Sequence, residues 1–428
     1  MGTPHSDLDP ITRGGRGFRA RVIALCVAVV VLDGFDTQEI SFAAPAIARA
    51  WHVSPAGFGV IFGIGLFGGL VGAVVSGAVS DRFGRKPALV VTVVLFGVVT
   101  LLTPLARDTA TLGVLRFVTG LGVGGALPGA IAIAAEHSPQ RSRAAMATLT
   151  VCGIPLGSVL GSVVAAQLIP RFGWGSIFIV GGVLPLLLAP VLLLFVPEPT
   201  RFSTLRAGRS GAARGDAGPV PARVPVWALF TGGRLAGTML LSAALFLTLL
   251  MAFFLVNWLP TVATRAGIGA SAAILTVGAW NTGGILGGLA LVRLAPRYRP
   301  GRAIALAYVL GAFSVAAVGQ VARSGGWLLL TTFLAGFLAI GAQMCTVSLL
   351  ATHYDTALRA TGVGWGMGCG RVGGIVGPTL GGWLIGATHS TGPIFAVAGV
   401  VCLSCALVVW LFGRLTQAPG DQLAGGSL

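Results

Sequence analysis

The sequence predicts an all-α membrane protein of twelve transmembrane helices in two six-helix bundles. Three observations carry this prediction. Of 428 residues, 55% are hydrophobic and 9% are charged, where a soluble domain carries about 25% charged residues. The mean hydropathy is +0.91. The apolar residues gather in blocks close to the roughly 20 residues that a helix needs to cross a bilayer. A soluble enzyme, a disordered chain and a nucleic-acid-binding protein are thereby excluded, in spite of a net charge of +16.

The blocks lie at 22–48, 57–79, 87–106, 111–136, 145–168, 174–196, 235–262, 270–292, 302–322, 326–352, 361–386 and 392–413. The first follows Arg13, Arg16, Arg19 and Arg21 and precedes no small-residue cleavage site, so it reads as an uncleaved helix rather than a signal peptide. The stretch 197–226 is rich in Pro, Gly, Ala and Arg and has no apolar period, as a linker would. The expected plan is a cytoplasmic tail (1–21), a bundle (22–196), a cytoplasmic linker (197–234), a second bundle (235–414) and a cytoplasmic tail (415–428).

The basic residues orient this plan. With the N-terminus in the cytoplasm, 20 Lys and Arg fall on the cytoplasmic side and 5 (Arg49, Arg107, Arg171, Arg265, Arg323) on the other. Arg116, Arg234 and Arg371, within or at the edge of blocks, complete the 28. A four-to-one bias places both termini inside and makes the anionic lipid surface a natural partner.

The halves echo each other. The loop after block 2 holds Asp81, Arg82, Phe83, Gly84, Arg85 and Lys86, and the loop after block 8 holds Arg293, Arg297, Arg299 and Arg302. Block 5 carries Gly153, Pro155, Gly157 and Gly161, and block 11 carries Gly373, Gly377, Pro378, Gly381 and Gly382. Parallel six-helix repeats place a substrate site at their interface near the midplane. The six cysteines lie in apolar stretches, and Cys402-x-x-Cys405 reads as small-residue packing. The five histidines lie in tails, loops or block ends, which disfavours a histidine relay or metal site within the membrane. No phosphate-binding loop of the G-x-x-x-x-G-K-[ST] type occurs, so an ion gradient is the expected energy source.

Four motifs together resemble the major facilitator superfamily. They are Gly77 to Lys86, with its Asp81-Arg82-Phe83-Gly84-Arg85-Lys86 core, Arg116 to Gly122, Glu136 to Arg143, and Pro197-Glu198-Pro199-Thr200-Arg201-Phe202. The resemblance covers essentially the whole chain and implies the major facilitator fold. A narrower set resembles the aromatic acid:proton symporter family. It comprises Asp33-Gly34-Phe35-Asp36-Thr37, Gly124-Gly125-Ala126-Leu127-Pro128, Asn257-Trp258-Leu259-Pro260-Thr261 and Arg359 to Gly364. This resemblance implies import of benzoate- or hydroxybenzoate-type carboxylates with protons across a bacterial inner membrane, without cofactor or enzymatic step, by a chain for which a monomer suffices. Two departures stand out. Val292, not an acid, precedes Arg293, and Asp355 follows Tyr354 where the family pattern has a proline.

Charges at bilayer depth cost about 2.5–3.5 kcal/mol each even on a lenient scale, so those that persist are candidate functional groups. Asp33 and Asp36 are i,i+3 neighbours on one helix face and are the expected proton-coupling pair. The alternative is a buried structural acid paired with an arginine or with backbone near Gly34. Glu39 is expected nearer the outer surface, as a solvated vestibule acid. Arg116, at a depth similar to Asp36, is expected to pair with it and either release its guanidinium to the substrate or remain a fixed partner. Arg371 sits near the midplane of block 11 and offers a bidentate fork to a carboxylate, with pairing to a helix 1 aspartate as the alternative. Asn281, Gln343, Trp280 and Phe35 are candidates for hydrogen bonds and ring contacts to a substrate, or for interhelical packing. Asp81, Arg85, Glu136 and Arg143 form a candidate gate whose pairs close one mouth and break when it opens.

Two other functions compete with import. A drug or metabolite efflux antiporter would carry a G-x-x-x-G-P-x-x-G-G pattern in block 5, but here Gly373 to Gly382 place it in block 11. A membrane sensor would need a separate output partner.

Overall fold

A computed structural model describes residues 16–197, 225–294, 300–321, 324–388 and 391–417. Most of the expected linker and of both outer tails, Arg297 and Arg299, and the Pro197–Phe202 motif beyond its first residue lie outside them. The described residues are helical throughout, apart from short turns.

Twelve long helices form: α1 (Arg16–Trp51), α2 (Pro55–Phe83), α3 (Arg85–Leu102), α4 (Thr109–Glu136), α5 in two pieces (Arg143–Val151 and Gly153–Phe172), α6 (Gly175–Phe195), α7 (Leu235–Arg265), α8 (Ala270–Leu294), α9 (Pro300–Gln320), α10 (Gly325–His353), α11 (Thr356–Ala387) and α12 (Thr391–Gln417). Their ends follow local chemistry. Ser54 caps α2 by accepting from the Gly57 amide at 3.3 Å, with Pro55 at the first helical position. Asp108 caps α4, and the Thr111 amide at 2.7 Å holds its carboxyl below the usual carboxylate range. Gly84 links α2 to α3 at φ 102°, a turn that a side chain would strain.

Ten of these helices are long and apolar enough to cross a membrane. The two outside that set are α1, which carries Asp33, Asp36 and Glu39, and α11, which carries Arg371 in a glycine-rich sequence.

Packing repeats under a shift of six helices. In the first half α1 packs on α5, α2 on α4, and α3 on α4 and α6; in the second α7 packs on α11, α8 on α10, and α9 on α10 and α12. Close approach depends on small residues, as between membrane helices generally. A Cβ on Gly68 or Gly72 of α2 would strike the Phe117 or Leu121 carbonyl of α4, and one on Gly373 or Gly377 of α11 would strike Phe246 or Leu250 of α7. The halves meet through α2 with α11, α5 with α8, and α1 with α7.

The bonds between halves sit on one side. Thr379 donates to the Gly59 carbonyl at 3.3 Å, Ser271 donates to the Ala166 carbonyl at 2.7 Å, and Ser41 lies 3.4 Å from the Asn257 amide oxygen. Phe62 meets Trp258 edge to face at 5.3 Å. All lie toward the ends of α1, α5, α7 and α11 that are farthest from the chain termini. The mouth on that side is closed.

The stretch before α7, expected as linker to residue 234, is partly folded. A 3-10 turn at Val226–Phe230 buries Leu229 against Leu241, Leu245 and Tyr354.

Candidate functional site: a charged cavity between the halves

A cavity of about 290 Å³ lies between the halves. Its walls include Asp33, Asp36 and Thr37 of α1, Phe62 of α2, Arg116 and Thr119 of α4, Ile154 of α5, Phe253 and Asn257 of α7, and Met367 and Arg371 of α11. The size sits at the small end of ligand pockets, about 300 Å³.

Local geometry explains how these groups arrive here. A Cβ on Gly34 would collide with Ile154, so α1 and α5 touch backbone to backbone, and Asp33 is held at that crossing. Asp33 is buried and accepts from the Thr37 hydroxyl at 3.3 Å. Arg371 is close enough to interact electrostatically with it. Asp36, also buried, accepts a hydrogen bond from Thr100. The Asp36 carboxyl is close enough to that of Glu39 to interact with it electrostatically.

Two expectations are corrected here. Glu39 is not a solvated vestibule acid: it is fully buried, 0% exposed. Nor is Asp36 the salt-bridge partner of Arg116. The Arg116 guanidinium lies 3.3 Å from Glu39 Oε1 and donates to Thr103 at 3.1 Å and Thr119 at 3.5 Å. It also stacks over Phe178 at 5.1 Å. The reason is steric. Gly181 of α6 leaves room against the Glu39 carboxyl that a side chain would fill, and Thr100 already occupies Asp36. The Arg116–Glu39 pair keeps Arg116 Nε and Glu39 Oε2 buried without a hydrogen bond.

Arg371 is half-buried on the cavity wall, with no ion pair among the described residues. Of the two candidate anion-binding arginines, Arg116 is thus engaged by a carboxylate and Arg371 is not.

Asp33, Asp36, Arg116 and Arg371 are brought together. Phe35, Trp280, Asn281 and Gln343 lie outside this cavity's lining. Phe35 packs against Gly161 of α5 and Gly181 of α6, Trp280 is buried beneath Gly336 of α10, and Asn281 donates to the Val277 carbonyl at 2.9 Å. The Gln343 side-chain oxygen is buried without a hydrogen-bond partner. Asn257 and the rings of Phe62 and Phe253 were not singled out from sequence as site residues. Asn257, a lone amide in an apolar run, was the one with a readable signal.

At the opposite end of the cavity, nearer the termini, Arg85 of α3 pairs with Glu136 of α4. Arg143 donates to the Ser138 carbonyl at 3.4 Å, and exposed Asp81 has no ion pair among the described residues. The Arg85–Glu136 and Arg143–Ser138 contacts lie within the first half.

The sequence model of the Major Facilitator Superfamily matches residues 26–378. The chain belongs to the Major Facilitator Superfamily. It is a multi-pass membrane transporter, not an enzyme. Among superfamily relatives, it is 37% identical over 388 residues to the 4-hydroxybenzoate transporter PcaK of Pseudomonas aeruginosa, covering 86% of this chain and 87% of the relative. It is 33% identical over 417 residues to a gallate transporter of Pseudomonas putida, covering 93% of each. The fold resembles the crystal structure of a bacterial homologue of the human lysosomal transporter Spinster, with a TM-score of 0.74, 18% identity, and 94% and 98% of the two chains covered.

Proposed function

We propose that this transporter imports a single-ring aromatic carboxylate together with protons, by alternating access of two six-helix bundles in a bacterial inner membrane with both termini cytoplasmic. The 4-hydroxybenzoate and gallate transporters among its relatives support the substrate class. The observation that carries the mechanism is the unequal state of the two cavity arginines. Arg116 is engaged by Glu39, whereas Arg371 is without an ion pair among the described residues and within electrostatic reach of Asp33.

Charge balance then gives the coupling. Two buried carboxyls at close quarters do not both ionise, so Asp36, Glu39 and Arg116 form a neutral group in which one acid keeps its proton and the other balances Arg116. Asp33 and Arg371 are neutral together when both are ionised. A substrate carboxylate that takes the Arg371 fork displaces Asp33 as counter-ion. An uncompensated buried carboxylate is costly, so Asp33 takes up a proton as substrate binds. Substrate and proton load together because they compete through one guanidinium. Phe62 and Phe253 flank the ring, and the Asn257 amide meets a ring hydroxyl. With the far mouth read as the external side, this is the inward-open state. Asp81, Arg85, Glu136 and Arg143 are the gate proposed to join the bundles when the cytoplasmic mouth closes.

The test is uptake of a labelled panel of aromatic acids in cells without their own carriers, with and without a protonophore. One acid is expected to accumulate and to be lost on protonophore addition. Asp33→Asn is expected to keep exchange of that acid across the membrane and to lose its accumulation. Retention that rises with the protonophore would instead establish efflux.

A further inference from the structure

A second cavity, of about 240 Å³, opens at the closed mouth. It lies across the seam between the halves, with Arg49 and Phe58 from the first and Trp258, Thr261, Thr264 and Arg265 from the second. Nothing in the central mechanism uses these residues.

Its chemistry is one-sided. Two exposed arginines face it from opposite halves, and no acid lines it. Arg49 spends Nε on the Pro45 carbonyl at 3.2 Å, and Arg265 spends Nη1 on the Ile385 carbonyl at 3.3 Å. Neither has a carboxylate partner among the described residues, so each keeps donors of its fork for an external acceptor. Thr261 lines the cavity at 8% exposure, and its hydroxyl is buried without a hydrogen-bond partner. A buried orphan hydroxyl is costly unless something pairs with it. Ala48, Val53 and Pro55, each partly exposed, supply the apolar face of the lining, while the Phe58 and Trp258 rings beside them are almost fully buried.

The geometry points to a binding site for a second aromatic monocarboxylate at this outer mouth, its carboxylate bridging Arg49 and Arg265, its ring against Ala48, Val53 and Pro55, and Thr261 donating to it. The ligand class rests on the reading in the preceding section, and the site itself is distinct from the central cavity. Because the two arginines belong to different halves, the site is complete only while this mouth is shut. A ligand that binds one state alone shifts the population toward that state, so occupancy holds the mouth closed.

The experiment is equilibrium dialysis of labelled 4-hydroxybenzoate against the intact chain in nanodiscs of zwitterionic lipid. The expected result is two molecules bound per chain. Arg371→Gln is expected to abolish one, and Arg49→Gln with Arg265→Gln the other. The molecule retained in each variant shows that the variant is folded. Thr261→Val, a smaller change, is expected to weaken the outer molecule about tenfold, as loss of a hydrogen bond to a charged group does. One molecule per chain, sensitive only to Arg371→Gln, overturns this site and leaves the import reading intact. No binding at all overturns both. Displacement of the outer molecule by equimolar inorganic phosphate, or by exchange into anionic lipid, overturns the aromatic assignment in favour of a general anion or a lipid headgroup.

Discussion

Glu39 shows what a single buried side chain decides. Removing one partner of a buried ion pair leaves an uncompensated charge and costs about 3–5 kcal/mol. Glu39→Gln combined with Asp36→Asn is therefore expected to lower the thermal midpoint of the purified chain sharply, and Arg116→Met in the same background to restore most of it. A scan of the four-member mutant cycle checks this. If the combined change is neutral, the Arg116 charge has another counter-ion. The charged members of the site were legible in the sequence because a charge in an apolar run has contrast. Phe62 and Phe253 were not, because an aromatic ring facing a cavity and one facing lipid look alike in an apolar helix. For the same reason Phe35 and Trp280 stand open in the sequence between ring contact and packing, and both lie outside the cavity lining. The partner of Arg116 escaped too, since spacing along α1 places Asp36 and Glu39 within one turn of each other and only the room beside Gly181 separates their roles.

At the scale of elements, α1 and α5 are joined at backbone distance. A Cβ on Gly157 would lie 2.8 Å from the Phe35 amide nitrogen and would also meet the Val31 carbonyl. Overpacking of this kind costs about 1–3 kcal/mol. Gly157→Ala is expected to reduce stability by that amount and to weaken binding of the transported acid, because the shift moves Asp33. Titration of the purified variant against wild type checks both. The element boundaries were largely readable: the expected block 235–262 is α7 at Leu235–Arg265, and 270–292 is α8 at Ala270–Leu294. The first helix is already formed at Arg16, the first described residue, ahead of the expected residue 22, since basic residues extend a helix into the head-group region as readily as into a tail. The break of α5 at Cys152 and the docked turn at Val226–Phe230 were invisible, because tertiary contacts decide both.

For the whole molecule, the shut mouth depends on the fit of α2 against α11. A Cβ on Gly59 would lie 2.8 Å from the Pro378 carbonyl, and one on Gly382 would lie 2.5 Å from the Pro55 carbonyl. Gly59→Ala is expected to shift the population toward the state open at this end, by roughly 5- to 150-fold for a penalty of about 1–3 kcal/mol. Distances between spin labels placed across the mouth would lengthen, and unchanged distances would place the hinge of the equilibrium elsewhere. The charge bias of 20 against 5 makes a second expectation. Reporters fused after Arg209 and after Leu428 should both read as cytoplasmic, and an external reading at either would invert the mechanism's direction.

The two helices outside the ten that are long and apolar enough to cross a membrane, α1 and α11, carry the cavity's aspartates and Arg371, which makes no ion pair among the described residues. This has a consequence for how the chain is made. Each ionised group costs about 2.5–3.5 kcal/mol when a helix partitions alone from the translocon into lipid, and α1 emerges from the ribosome long before α4 delivers Arg116. Nascent chains truncated after α3 are therefore expected to hold α1 loosely and to leave it extractable. Chains extended through α4 should retain it. The charges that serve transport in the finished protein also set the order in which its helices commit to the bilayer.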